Sequence, residues 1–466
     1  MFNAADKVAR RVLPYSNQQF GGTFGGPILR DKLWFFFSWE AEREPGTLFL
    51  TPTGFGGRSY DFASQTDSRT TLSRVDYQQS DSSRLSLRLS GSWWKSPFTN
   101  VGGTAHPSRA TNSTRKALSA LGSWNKSFTP TLVSDLKVGF AYNKWTNDPL
   151  VQSQEYRLGT LTVGAPYNYP GDRFQNSIQV RDDLYWMKGK HNVKFGGEYL
   201  NIRHYGFFQQ NVRGVVTSFS RVPADLAQVF PEWNDASTWR LDLLSQGAAS
   251  YTQGFGDFNL NIRRNTLGFW AQDDWKVSKR LTLNLGVRYD NDIGMLGNSP
   301  KLKSGLQLPE GGDNNNIAPR LGFALDVTGS RRTVIRGGIG LYYADMIANM
   351  FYNQQLFNGE TTIQASVDAR PNAPINLAAP FGQYTGADFL AGTAPTPQQS
   401  LQLVNPDVST PYSYQLSLGM EKAIGANWTV TADFVNWRLY NEWSRIDENL
   451  SYDPVTGFNV NPSRGR

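Results

Sequence analysis

The stretch Arg280–Asp290, RLTLNLGVRYD, alternates strictly between apolar and polar side chains. Its apolar members are Leu281, Leu283, Leu285, Val287 and Tyr289. A side-chain period of two is typical of a β-strand that has one apolar and one polar face. The segment therefore predicts a strand that separates an apolar environment from a polar one.

The same alternation recurs along the chain and groups into hairpins. Further two-faced strands start near Arg84 and Tyr412, and two more run over 136–142 and 335–343. We predict seven hairpins, at 18–29/32–43, 69–78/82–94, 114–127/131–145, 176–188/190–205, 264–277/280–291, 316–328/331–343 and 411–423/426–440. The connection inside each hairpin is short, whereas consecutive hairpins are joined by long connections, the longest over 206–263 and 344–410.

This asymmetry of turns, together with strand length, decides between the β-sheet classes. A soluble sandwich has turns of mixed length at both ends, whereas a transmembrane barrel has short periplasmic turns and long extracellular loops. Twelve tilted strand residues rise roughly 28 Å, which is close to the hydrocarbon thickness of a bilayer. We predict an all-β fold, a transmembrane antiparallel up-and-down β-barrel of about 14 long strands, incomplete as a barrel, with residues 1–466 forming a single domain.

Composition excludes several other classes of protein. The 466 residues include no cysteine, which rules out a disulfide scaffold, a Cys-ligated metal and a thiol nucleophile. The longest apolar run, Leu33–Phe37, is far too short for a transmembrane helix. The net charge of +7 is modest and is not gathered in a basic run of the kind that follows nucleic acid. We therefore expect no nucleic-acid partner.

Aromatic side chains give a further indication of a membrane. Tryptophan and tyrosine prefer the headgroup level of a bilayer, where the ring is half apolar and half hydrogen-bonded. We predict an aromatic belt from residues near the ends of the predicted strands: Trp93, Trp94, Trp124, Tyr142, Trp145, Trp186, Trp270, Trp275, Tyr342, Tyr343, Tyr412 and Trp428.

Several segments resemble one family across nearly the whole chain. Gln19–Glu40, QFGGTFGGPILRDKLWFFFSWE, and Phe269–Lys276, FWAQDDWK, which leads into Leu281–Asp290, are the longest matches. Shorter matches are His191–Tyr199 and 316–323. These segments resemble Oar-like TonB-dependent outer-membrane receptors of the type abundant in acidobacteria. The resemblance implies an active transporter in the outer membrane of a Gram-negative bacterium, which takes up a scarce ligand into the periplasm.

The resemblance also implies parts that this chain lacks. Receptors of this family carry a signal peptide and a plug ahead of a barrel of about 22 strands. We therefore expect residues 1–466 to be a barrel fragment without signal peptide and plug. The partners that follow are outer-membrane lipid, the TonB complex acting through the missing plug, and a ligand that the sequence does not identify.

We predict neither an enzyme nor a cofactor or metal site. His106, His191 and His204 have no histidine partner at metal-binding spacing. In Asp182-Asp183 and Asp273-Asp274 the two carboxylates point to opposite faces of a strand, so neither pair can converge on one substrate. The glycine-rich segments 21–26 and 337–340 lack the Gly-Lys-Ser/Thr of a phosphate loop.

The alternation assigns side chains to the two faces of the barrel wall. The predicted lipid-facing residues are Leu281, Leu283, Leu285, Val287, Leu85, Leu87, Leu89, Leu416 and Leu418. The predicted lumen-facing residues are Arg84, Arg88, Arg288, Asp290 and Arg336.

Some alternatives remain open from the sequence. A plug-less porin or an adhesin that displays its long loops would share the same strands. A barrel hydrolase would need a Ser–His pair on the outer wall, and a soluble β-sandwich would need no membrane. The aromatic-rich connection 206–263 either forms a binding surface or packs on neighbouring loops, and the seven prolines of 370–411 predict a stiff, irregular loop.

Overall fold

The computed structural model describes residues 4–218, 223–245, 248–369, 375–395, 399–446 and 455. These residues form nineteen strands: β1 Gln18–Leu29, β2 Leu33–Leu50, β3 Tyr60–Ser80, β4 Ser83–Thr99, β5 Thr111–Thr129, β6 Leu132–Pro149, β7 Glu155–Leu158, β8 Leu161–Val163, β9 Gly171–Lys188, β10 His191–Phe208, β11 Val215–Ser218, β12 Ala248–Gly256, β13 Asn259–Lys276, β14 Leu281–Ile293, β15 Asp313–Asp326, β16 Thr333–Tyr343, β17 Thr362–Asp368, β18 Tyr412–Ile424 and β19 Trp428–Tyr440. The α-helices are α1 Asp242–Ser245, α2 Ala348–Leu356 and α3 Gly386–Ala391. None of the helices in these ranges is long and apolar enough to cross a bilayer.

The large sheet contains fourteen strands, and its order follows the chain: β1-β2-β3-β4-β5-β6-β9-β10-β13-β14-β15-β16-β18-β19. All seven predicted hairpins are pairs of neighbours in this order. The pairings described in residue detail are antiparallel, for example β5 with β6 and β9 with β10. The predicted all-β meander of about 14 long strands is therefore confirmed.

Many strands run further toward the long connections than the alternation predicts. The predicted second strand ends at residue 43, whereas β2 continues to Leu50 and remains paired in register with β3 back to Tyr60. The residues in this extension, such as Glu44 and Thr66, are polar or mixed on both faces. Hydrophobic alternation ends where a strand leaves the apolar environment, but the backbone hydrogen bonds between strands continue.

Three of the short turns contain a glycine with positive φ, at Gly189, Gly329 and Gly425. Gly189 and Gly425 adopt φ of 60° and 66°, the left-handed region that a side chain disfavours. Asp31 takes the same conformation in the first hairpin, with φ of 59°, because the short side chain of aspartate tolerates it. These turns fix the register of the hairpins, which in turn decides which face each side chain joins.

The chain divides into two compact units. The first comprises residues 1–273, 288–315 and 347–408, and the second comprises residues 274–287, 316–346 and 409–466. In the second unit β16 pairs with β15 and β18, and β18 pairs with β19. The first unit holds β1–β12 and β17, and it contains the buried hydrophobic core.

That core belongs to a second, smaller sheet, which the sequence did not predict. Its order is β17-β12-β11-β7-β8, and its strands come from three different long connections. β7 and β11 pair in parallel, and β12 pairs antiparallel with β11 and β17. The fully buried members of its core include Phe55, Tyr156, Val163, Val216, Val229, Phe230 and Leu244. We call this sheet and its core the loop assembly.

The loop assembly decides one of the alternatives left open by the sequence. Within 206–263, Phe230, Trp239, Tyr251 and Phe258 are all buried, so these aromatic side chains pack on neighbouring loops. The described parts of the proline-rich segment 370–411 contain α3 and no strand, as predicted. Pro371, Pro374 and Pro397 lie outside the described residues.

Candidate functional site

Cross-strand register sorts the side chains of β3 to β10 onto two faces. On one face of β5 and β6, Leu118 lies opposite Tyr142 and Ala120 opposite Phe140. We call this the apolar face, and the opposite side, which carries Arg84 and Arg88, the polar face. Residues directly opposite each other share a face, because successive side chains of a strand point to opposite sides.

Most of the predicted lipid-facing residues are exposed. Leu87 and Leu89 are each 46% exposed, and Leu418 is 50% exposed. Leu85, Leu285, Val287 and Leu416 are exposed to a similar extent, whereas Leu281 and Leu283 are half-buried. A large exposed apolar surface of this kind marks contact with lipid or a partner.

Four of the five predicted lumen-facing residues form ion pairs. Arg84 lies 3.2 Å from Asp76, and Arg288 lies 2.7 Å from Asp290. In the second unit Arg336 lies 3.5 Å from Asp433. Arg88, the fifth of these residues, is cross-strand neighbour to Arg74 and Leu121.

A row of alternating aromatic and arginine side chains crosses five strands on the polar face. Trp94, Arg115, Trp145 and Arg173 are successive register partners across β4, β5, β6 and β9. The Arg115 guanidinium lies 4.9 Å from the Trp94 ring centroid, and that of Arg173 lies 4.6 Å from Trp145 and 4.1 Å from Phe208 of β10. We call these five residues the aromatic–arginine row.

The two arginines of this row have no carboxylate within ion-pair distance among the residues described. Arg115 is exposed and Arg173 is half-buried. The indole and phenyl rings hold the guanidinium groups by cation–π contacts and leave their N–H groups without a charged partner. A planar guanidinium in this setting is suited to bind a carboxylate, phosphate or other oxyanion.

A second cluster on the polar face surrounds Trp270 of β13, and its charges are balanced. The Trp270 ring lies between the guanidinium groups of Arg181 and Arg288, 4.5 Å and 5.1 Å from its centroid. Three cations and three carboxylates make up the surrounding ion pairs: Arg181, Lys194, Arg288, Asp183, Glu198 and Asp290. We call this set the Trp270 network. Its charges compensate each other, and its ion pairs and the Trp270 ring link β9, β10, β13 and β14.

Glycine makes room for the Trp270 ring. A Cβ atom on Gly196 would lie 2.6 Å from Trp270 Cζ2 and 2.2 Å from the carbonyl oxygen of Asp182. Both distances are shorter than any real Cβ contact, so only glycine fits at this position of β10. The tryptophan therefore lies directly against the backbone of a neighbouring strand.

A buried carboxylate ties the loop assembly together. Glu155 at the start of β7 is 2% exposed and accepts hydrogen bonds from Arg109, from Arg157 Nε at 2.8 Å and from the Tyr167 backbone N–H at 2.8 Å. Its own backbone N–H donates to Gly214. Glu155 thus connects its own loop to two others, through its side chain to Arg109 and through its backbone to Gly214.

A fully buried histidine, His106, lies in the same region. Its ring stacks on Phe55 with a centroid distance of 4.7 Å, and its Nδ1 lies 2.7 Å from Ser108 Oγ, which accepts from the Gly164 N–H. Burial, with a smaller contribution from the positive charge of Arg58, lowers the pKa of His106 to about 3. The imidazole is therefore neutral and structural.

The remaining candidate residues form no catalytic or metal site. His191 Nδ1 lies 2.6 Å from Asp273 Oδ2, and His204 packs edge-on against Tyr352. Asp182 accepts from Ser134 on the apolar face while Asp183 binds Arg181 on the polar face, so the predicted divergence of this pair is confirmed. Within the described ranges, no three His, Asp or Glu side chains gather as a metal site would require.

Three tryptophans of the predicted aromatic belt lie on the side of the sheet opposite the apolar face. Trp94, Trp145 and Trp270 lie among arginines on the polar face. The sequence argument counted only the distance of each residue from a strand end. Parity along the strand would have identified them, since Trp94 immediately follows Trp93 and the two must point to opposite faces.

Comparison with known proteins gives the family. A model of the outer membrane beta barrel domain matches residues 1–55 and 47–465. The chain belongs to this outer-membrane β-barrel family. It is a protein of the Gram-negative outer membrane, and the predicted localisation is confirmed.

Individual relatives agree with the predicted resemblance. The chain is 28% identical to the TonB-dependent transporter Oar of Myxococcus xanthus over 225 residues, which cover 43% of this chain and 19% of Oar. Its fold is similar to that of the outer membrane transporter YddB from Escherichia coli, with a TM-score of 0.60, 14% identity and coverage of 93% of this chain and 48% of YddB. The siderophore receptor PirA from Acinetobacter baumannii gives a TM-score of 0.50, 12% identity and coverage of 95% and 54%.

The chain thus spans about half the length of these solved structures and a fifth of Oar. The structural matches, at 14% identity or less, show a shared barrel fold. The names of all three relatives describe transporters or receptors.

Proposed function

We propose that residues 1–466 form the barrel wall of a TonB-dependent active transporter that takes a scarce ligand across the outer membrane into the periplasm. The apolar face contacts lipid and the polar face lines the interior, as predicted for the residues named above. The short turns lie in the periplasm, and the loop assembly lies on the extracellular side. The relative Oar, which supports this proposal, is described as a TonB-dependent transporter.

The observation that carries the proposal is the aromatic–arginine row. The Trp270 network pairs its cations with carboxylates. The row instead presents two guanidinium groups without carboxylate partners, at the end of the strands next to the long connections. A ligand that bears an oxyanion group would find its first charged contacts there, below the loop assembly.

The Trp270 network has a different role in this proposal. It lies eight residues along β9 from the row, from Arg173 to Arg181, which is roughly 26 Å of strand. Its position nearer the short turns suits contact with a plug, which connects the barrel to the energised TonB complex. The proposed plug belongs to the complete transporter and not to the described residues.

Uptake by the native bacterium tests the proposal. The gene is deleted, and the consumption of medium components is compared with wild type by mass spectrometry, with and without a protonophore that removes the energy for TonB. Active transport predicts that deletion and protonophore block uptake of the same compound. Uptake that is lost on deletion but insensitive to the protonophore would favour the porin, and unchanged uptake combined with lost surface attachment would favour the adhesin.

Two substitutions connect the transport to the site. Arg115→Gln combined with Arg173→Gln should reduce uptake of the compound at least tenfold at unchanged outer-membrane abundance. Arg74→Gln is the matched control, because Arg74 lies on the same polar face but is paired with Asp76 at 2.8 Å. Equal uptake by the double variant and the control would refute the role of the row.

A further inference from the structure

Two lysines lie directly opposite each other on the apolar face. Lys116 of β5 and Lys144 of β6 are register partners, so their Cβ atoms are about 5 Å apart. Like charges in this arrangement repel each other and destabilise a sheet. Neither lysine has an ion pair with a carboxylate among the described residues. Asp172 lies on the same face but opposite Thr146, two residues along the strand from the lysine pair toward the long connections.

The lysine pair marks one boundary of an apolar ladder. Going down β5 and β6, the rows are Leu118 with Tyr142, Ala120 with Phe140, Gly122 with Val138 and Trp124 with Leu136, and the next row holds Lys126 with Ser134. The ten residues from Lys116 to Lys126 rise about 25 Å along a tilted strand, which is the height of the apolar band of an outer-membrane barrel. Both ends of the ladder are therefore marked by lysine, at the two headgroup levels.

Aromatic rings flank the lysine pair in the same register row. Trp93 pairs with Lys116, and Lys144 pairs with Phe174, which pairs with Tyr205. The Lys144 ammonium lies 5.0 Å from the Phe174 ring centroid, and Phe174 stacks on Tyr205 at 5.1 Å. Such rings are typical of the interface between hydrocarbon and headgroups, where the lysine ammonium groups would meet lipid phosphates.

We propose that Lys116 and Lys144 together bind the phosphate groups of a lipid in the outer leaflet. A compact ammonium group binds phosphate as a point charge, and two of them side by side match a phosphorylated glycolipid headgroup. The acyl chains of this lipid would lie along Leu118 and Phe140, which are 43% and 44% exposed. The inference rests on the proposed lipid-facing assignment of the apolar face and does not depend on ligand uptake.

Native mass spectrometry of the purified full chain in detergent tests the binding, with diphosphoryl lipid A as the probe. Each lysine near a charged lipid surface contributes about fivefold to the affinity, so the double variant Lys116→Gln with Lys144→Gln should bind lipid A about 25-fold more weakly. Lys126→Gln is the matched control, since Lys126 lies on the same face of the same strand at the opposite end of the ladder, and it should bind like wild type. Equal binding by the double variant would overturn the proposal. Displacement of the lipid by inorganic phosphate alone would replace it with a soluble-anion site.

A second measurement separates failure of the lysine site from failure of the face assignment. The chain contains no cysteine, so Leu118→Cys provides a single site for a fluorescent label. In vesicles containing a lipid-bound quencher, the label should be quenched if the apolar face contacts lipid. Quenching together with unaltered lipid A binding by the double lysine variant would refute the lysine site alone, whereas an unquenched label would refute the face assignment beneath it.

Discussion

The loop assembly should open more readily as the pH falls from 7.5 to 5.0, because it buries a neutral histidine. His106 is completely inaccessible to solvent, and its pKa is lowered to about 3. In the open form the imidazole is exposed and regains its ordinary pKa of about 6.5. Below pH 6.5 the open form therefore binds a proton that the closed form cannot accept, and the equilibrium shifts toward opening.

The magnitude follows from the two pKa values. The stability of the closed form is fully present above pH 6.5 and falls by about 1.4 kcal/mol per pH unit between pH 6.5 and 3. From pH 7.5 to 5.0 the loss amounts to about 2 kcal/mol, which is a roughly 30-fold increase in the opening equilibrium.

Amide hydrogen exchange at the two pH values measures this opening, after correction for the intrinsic exchange rate. The reporting amides are those of Gly164, which donates to Ser108 Oγ at 2.7 Å, and Ala110, which donates to the Pro107 carbonyl at 2.9 Å. His106→Gln is the control, since it cannot titrate and leaves His191 and His204 in place. A wild-type opening equilibrium that does not change with pH, or a variant whose equilibrium changes as steeply, would refute the reasoning.

Three substitutions test other parts of the structure. Glu155→Gln should reduce the free energy of opening at the Tyr167 amide by about 2 kcal/mol, because the half-buried Arg109 loses its charged acceptor. An unchanged exchange rate at this amide would contradict the role of Glu155. Phe230→Ala should lower the free energy of opening of the loop assembly by about 4 kcal/mol, because the ring is fully buried against Phe55 and Trp239. The loops of this variant should become sensitive to protease. Tyr384→Ala, at an exposed site, should leave protease resistance unchanged. Gly196→Ala should destabilise the sheet by about 2 kcal/mol, because the added methyl group clashes with Trp270. Thermal unfolding in detergent measures this loss. Gly22→Ala, which has open space around it, should unfold like wild type.

The sequence predicted the strands well because a membrane imposes a regular pattern on them. Leu281 to Tyr289 alternate because every second side chain must be apolar, and the short turn at Gly189 is marked by the residue it needs. The ends of the strands were placed too early for the same reason. Beyond residue 43, β2 is no longer two-faced, and its pairing with β3 depends on backbone hydrogen bonds that leave no pattern in the side chains.

The loop assembly was outside the reach of sequence reasoning. β7 and β11 are four residues each and pair in parallel although Glu155 and Val215 are 60 positions apart. No local periodicity can identify such a pair. The buried Glu155 likewise gives no signal in the sequence, because its partners Arg109 and Tyr167 come from different loops.

The aromatic–arginine row and the lysine pair lie back to back in the same part of the sheet. Trp93 and Trp94, Lys116 and Arg115, Lys144 and Trp145, and Phe174 and Arg173 are sequence neighbours that point to opposite faces. Cations therefore face both sides of the wall at one level, the lysines toward the proposed lipid and the arginines toward the proposed ligand. A shift of one residue in strand register would exchange the two sets and place arginine in the headgroups and lysine in the interior. The short hairpin turns, which prevent that shift, are thus as important to both proposed binding surfaces as the charged residues themselves.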